Sequence, residues 1–268
     1  MATRPNWWVN ETLRDSTAAS QDLLHTEPVA HPADLWDFED PAGSEARLQQ
    51  AADAADGAER AVWLTQVARA LGLQERYDDA HALLDGIGGP AADGSAEVAV
   101  RLLLERGRLF RSSADAAAAR PLFEQAAARA EQDGLSELQV DALHMLALVA
   151  GPSEQLTITE RALAVARTSD DPRTRDWDAS LLNNVGMTHA DAGDFAAALV
   201  AFEEALAARE RIGDAGRTRV ARWMVAWALR NLGRREEALA MQESLKAQLE
   251  AVGEEDPYVD EELALLRG

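Results

Sequence analysis

The sequence contains no cysteine, which excludes disulfides, thiolate metal sites and cysteine nucleophiles. It is also short of positive charge: 26 Lys and Arg stand against 47 Asp and Glu, a formal charge of −21. A surface that acidic repels phosphate backbones and anionic lipid, so neither nucleic acid nor a membrane surface is an expected partner. No apolar run approaches the roughly 20 residues that span a bilayer. The opening Met1-Ala-Thr-Arg-Pro-Asn-Trp-Trp lacks the apolar core of a secretion signal, and a cytoplasmic location is expected. Catalytic patterns are missing too. His25, His31, His81, His144 and His189 show no metal-ligand spacing, and no nucleophile elbow, P-loop or dinucleotide fingerprint occurs. No enzyme activity, cofactor or metal is therefore expected. The acidic runs 254–256 and 260–262 read as solvated faces.

What the sequence does have is an internal repeat. A small residue recurs as Ala68, Gly107, Ala147, Gly186 and Ala226, at spacings of 39 or 40. A second register, Ala80, Ala119, Ile158, Ala198 and Ala238, keeps step with it. So do Leu84, Phe123, Ala162, Phe202 and Gln242, and again Ile87, Ala126, Val165, Ala205 and Leu245. Small side chains where two helices cross let the backbones approach, and a larger apolar residue one turn on fills the adjoining hole. Within a unit the apolar spacing is helical: Leu199, Phe202, Ala205 and Leu206 share a face. Breakers separate the helices at Gly72, Gly134, Gly151-Pro152, Asp171-Pro172, Gly193, Gly213 and Gly233. Strand signals are absent. The pattern predicts an all-α solenoid of about five helical hairpins over residues 58–251.

The segment running from Leu182 to Ala205 resembles a tetratricopeptide repeat, with Gly186, Gly193, Phe195, Ala198, Phe202 and Ala205 on the motif. The unit with Gly107, Ala119, Phe123 and Ala126 is similar, as is the one with Tyr77 and Ala80. The third and fifth units depart from it, with Ile158 in place of alanine and Gln242 in place of an aromatic. The long repeat is closer to the kinesin light chain type. The resemblance implies a right-handed superhelix with the first helix of each hairpin along a concave groove.

Residues 1–57 form an acidic flank, with 3 basic and 11 acidic side chains and three of the seven tryptophans. Short helices are predicted over Thr12 to Leu24 and over Glu45 to Ala55, the second as an N-terminal cap. Between them, His31 to Pro41 reads as an extended, proline-bounded arm. Trp7-Trp8 and the Asp34-Leu-Trp-Asp-Phe-Glu-Asp40 segment fit a cap packed on the first repeat, a linear motif for another protein, or an arm filling the groove in cis. Residues 252–268 carry a capping helix that starts at Pro257 and turns Val259, Leu263 and Leu266 to one side.

By the resemblance, groove residues lie three and two before, and one after, each small residue. This gives Thr65, Gln66 and Arg69, then Leu104, Glu105 and Arg108, then His144, Met145 and Leu148. Next come Asn183, Asn184 and Met187, and finally Trp223, Met224 and Trp227, with Arg101, Arg111 and Arg230 a turn away. Arginines in the concavity of an acidic protein suit a carboxylate. Trp and Met supply adaptable apolar surface. The expected partner is therefore a protein or peptide, an extended tail with acidic and apolar parts, and the expected role is a non-catalytic adaptor or scaffold. The alternatives are a homo-oligomeric or ligand-sensing scaffold assembling through its terminal repeats and, remotely, an enzyme built on the solenoid.

Overall fold

The computed structural model describes residues 31–87 and 94–268. The expected helix at Thr12 to Leu24 and the pair Trp7-Trp8 lie outside them. Every regular element among the described residues is helical. A first compact unit ends at Val165 and a second runs from Ala166 to Gly268.

Helix α1 is Pro41–Ala54, and hairpins follow in chain order: α2 (Gly57–Leu73) with α3 (Tyr77–Gly86), and α4 (Ala96–Ser112) with α5 (Ala116–Gln132). Helices α6 (Ser136–Val149) and α7 (Pro152–Thr168) come next. In the second unit α8 (Asp178–Asp191) pairs with α9 (Phe195–Ile212), and α10 (Ala215–Asn231) with α11 (Arg235–Ala251). Helix α12 (Pro257–Arg267) closes the chain. No described helix is long and apolar enough to cross a membrane.

Two expectations at the N-terminal side need correction. The capping helix begins at Pro41 rather than Glu45, because Asp40 caps it by accepting from the Gly43 amide at 2.9 Å and proline suits its first position. The arm is not extended throughout: Pro32–Leu35 is one 3₁₀ turn, capped by His31. The C-terminal helix is as expected, with Val259, Leu263 and Leu266 buried and Asp256 as its cap. Lys246 of α11 bridges to Asp260 of α12 at 2.9 Å.

The repeat period has a local cause. After most of the long helices, a left-handed residue is followed by an amide that reaches back five residues: Arg76 to Leu71, Asp115 to Phe110, Leu135 to Ala130, Asp194 to His189 and Arg234 to Leu229, at 2.8–3.0 Å. This closes the orphaned carbonyls at each helix end. Glycine takes the left-handed position at Gly193 (φ 80°) and Gly233 (φ 77°), but Glu75 (φ 60°) and Ala114 (φ 66°) hold it without glycine's freedom.

The small-residue register sits at the helix crossings. A Cβ on Gly107 would meet the Phe123 ring at 2.5 Å, and one on Gly186 would collide with Phe202 in the same way. Both rings are fully buried. At the last crossing Ala226 faces the register of Gln242, whose amide is fully buried and has no hydrogen-bond partner for either terminal atom.

Candidate functional site

In the first unit, helical spacing gathers polar groups on the first helices of the hairpins: Gln66 and Arg69 on α2, Glu105, Arg108 and Arg111 on α4, and Asp141 and His144 on α6. They form a ladder. Gln66 Nε2 donates to Glu105 Oε1 at 3.3 Å, and Arg108 donates to the same oxygen at 2.7 Å. The guanidinium of Arg108 also grips Asp141, at 2.6 Å to Oδ2. Burial pulls the Arg108 pKa down, but Asp141 and Glu105 more than reverse it and hold it above the usual arginine value. Burial pushes the Asp141 carboxyl up, and Arg108 and then Arg69 bring it below the usual aspartate range. This is a charge-assisted tie between α4 and α6.

The arm lies on the same face. Trp36 is 7% exposed and its indole N–H donates to Gln66 Oε1 at 3.1 Å. Its ring stacks on Phe38 at 4.9 Å between centroids. The Arg69 guanidinium sits over both rings, 5.3 Å from one centroid and 5.4 Å from the other, a cation–π arrangement. At the other end of the arm, His31 Nε2 lies 3.3 Å from Glu137 of α6. The segment from His31 to Phe38 therefore touches α2 and α6 through residues of the predicted groove and their neighbours. Trp36 shares one core with Leu48 and Ala52 of α1 and with Trp63 and Val67 of α2, the packing expected of a cap on the first repeat.

Not every predicted groove residue offers a side chain. His144 is 1% exposed and buried on α6. Arg108 is committed to Glu105 and Asp141. Sequence reasoning missed Asp141, six residues before Ala147; an acid one turn earlier than the groove positions was the available signal.

The second unit sets its own candidates differently. Asn183 and Asn184 are half-buried on α8, whereas Met187 is buried in the core. Trp223 is 6% exposed and its indole N–H donates to the Tyr258 carbonyl of α12 at 3.3 Å. Arg230 is held by both oxygens of Glu262, at 2.6 and 2.8 Å. Trp227 stacks on Trp223 and meets Phe195 edge-on at 5.3 Å, with Phe202 beyond. Trp227 is thus a half-buried ring packed on α9 and against the core cluster that includes Met187. The capping helix engages both Trp223 and Arg230.

Residues 177–251 match the tetratricopeptide repeat family model. No curated protein matches the chain significantly. Among solved structures, BtubC (BKLC) from P. vanneervenii is 16% identical with a TM-score of 0.61, over 82% of this chain and 92% of that one. A Podosopora anserina kinesin light chain with nearly identical TPR-like repeats is 17% identical with a TM-score of 0.53, over 70% and 94%. The chain has the all-α fold of tetratricopeptide-like repeat proteins, and residues 177–251 match the repeat itself.

Proposed function

We propose that this protein is a non-catalytic protein-binding module whose first-helix face, in the first unit, takes an extended segment rich in aromatic and acidic residues. Tetratricopeptide-like folds are generally protein-interaction modules. The observation that carries the reading is the chain's own Trp36–Phe38 segment on that face, tied by Gln66 and covered by Arg69. The arm is a sample of the partner chemistry: a flat apolar anchor flanked by Asp34, Asp37, Glu39 and Asp40. Recognition by an aromatic anchor under a guanidinium follows the usual composition of binding hot spots.

The test is a labelled peptide of residues 31–41 added to the full-length Trp36→Ala/Phe38→Ala variant, read by fluorescence anisotropy. Saturable binding is expected, weaker by about tenfold in the unsubstituted protein, where the tethered arm competes. Adding Arg69→Glu or Gln66→Ala should weaken it further, with circular dichroism confirming an unchanged helical fold. No saturable binding, or binding indifferent to Arg69 and Gln66, overturns the reading.

A further inference from the structure

The Gln66 side chain has two unlike ends, and its surroundings leave it one orientation. Its Oε1 accepts from the Trp36 indole at 3.1 Å, and its Nε2 donates to Glu105 Oε1 at 3.3 Å. Nε2 also lies 3.4 Å from Thr65 Oγ1. That hydroxyl spends its own hydrogen on the Val62 carbonyl at 2.6 Å, so its oxygen is left to accept. A carboxylate likewise only accepts. Both inner neighbours therefore demand the NH2 end of Gln66, and the carbonyl end is turned to the arm. Trp36, Thr65, Gln66 and Glu105 are all buried.

We propose that Glu105 is a positioning residue for the arm: acting through Gln66, it makes the slot at position 36 an acceptor site that takes an indole and rejects a phenyl ring. Arg108 holds Glu105 in place by donating to the same oxygen at 2.7 Å, and Asp141 anchors Arg108 in turn. Glu105 Oε2 has no partner among the described residues, so the hydrogen bonding of this carboxylate is concentrated on the oxygen that faces Gln66. An amide that donates to an anion becomes a stronger acceptor at its other end. A phenyl ring could still stack on Phe38 and lie beneath Arg69, as Trp36 does, but it has no N–H. It would leave the Gln66 carbonyl buried and unpaired, and the full desolvation cost of that group would fall on arm docking. Were the amide free to turn, much of that cost would vanish. The ring stack thus supplies aromatic contact, and Glu105 supplies the choice of aromatic. For a partner segment on the same face the anchor would have to be tryptophan. That extension rests on the proposed binding role, whereas the arm displays the selection in cis.

The test reads arm docking in the full-length protein by hydrogen exchange of the Asp37 amide. This amide donates to Ser44 Oγ at 2.8 Å and touches neither the indole N–H nor Gln66. Trp36→Phe is expected to lower its protection by about tenfold. In a Glu105→Leu background, where Gln66 can turn, the same substitution should lower it by about threefold or less. Glu105→Gln, whose amide oxygen can take the same two donors, should keep the tenfold effect of about that size. Where circular dichroism shows that Glu105→Leu does not fold, Glu105→Met takes its place. A merely structural role for Glu105 predicts instead that its loss lowers protection by one factor, whichever ring the arm carries. Equal effects of Trp36→Phe with and without Glu105, or no effect in the unsubstituted protein, overturns the proposal. No added peptide is involved, so failure of the arm peptide to bind in trans would overturn the binding role and leave this result standing.

Discussion

The two hairpins of the second unit solve one packing problem in two ways. At α8/α9, Gly186 removes its own side chain so that the Phe202 ring can lie in the crossing. At α10/α11, Ala226 and Gln242 occupy the same register, and the amide is sealed in without a partner. The backbone bonds that close the two turns are alike, Asp194 to His189 and Arg234 to Leu229, both at 2.9 Å. Turn chemistry therefore maintains the repeat even where the crossing is chemically poor. The fifth hairpin compensates from outside: α12 supplies Glu262 to Arg230 and the Tyr258 carbonyl to Trp223.

The largest way to break this comparison is Phe202→Ala, which empties the crossing of α8/α9. Urea unfolding monitored by circular dichroism should show a loss of about 3–5 kcal/mol. Gly186→Leu attacks the same contact from the other side and should cost about 1–3 kcal/mol by overpacking. An unchanged midpoint for either variant would remove the glycine–phenylalanine explanation of the crossing.

Gln242→Met sharpens the comparison in the opposite direction. Replacing an unpartnered buried amide by an apolar side chain of similar length should raise stability by about 1–2 kcal/mol. A loss instead would mean that the Gln242 amide is hydrogen-bonded, by water for instance, in solution.

The smallest expected effect near neutrality contrasts this apolar unit with the charged first unit. Asp141 is held below its ordinary value of 3.8, because Arg108 and Arg69 outweigh the upward push of burial. A carboxylate with a depressed folded pKa contributes stability that is present above the unfolded value and lost as pH falls through the folded one. Between about pH 7 and pH 5 the pair should therefore contribute a constant amount. On further acidification, melting should fall more steeply in the unsubstituted protein than in Asp141→Asn. Equal acid slopes would show that the pair adds nothing to the pH dependence.

The helices and their crossings were legible because small residues and breakers recur at a fixed period, and close packing leaves few residue types for such a place. Gly107, Phe123, Gly186 and Phe202 are where that reading is sharpest. The candidate site was only half legible. Its positions on α2 and α4 follow from the repeat register, so Gln66, Arg69, Glu105 and Arg108 could be named. Which of them are already engaged depends on contacts between residues 30 or more apart. The grip of Asp141 on Arg108, the arm on Gln66 and Glu262 on Arg230 leave no periodic trace. Burial of His144 and Trp223 was hidden for the same reason: one register position can face an open surface in one repeat and a capping element in another.

The Lys246–Asp260 bridge between α11 and α12 has a practical consequence. Lys246 is the single lysine of the sequence; every other side-chain cation of the chain at neutral pH is an arginine, barring protonated histidine. Amine-reactive reagents thus find one side chain, and its nucleophilic, unprotonated form is suppressed further by the hydrogen bond to Asp260, which raises its pKa. Acylation there should be slow while the last helix is docked and accelerate when it lifts. Without any engineered cysteine, the molecule carries one reactive side-chain amine, distinct from the more readily acylated α-amino group, that reports the docking of its last helix.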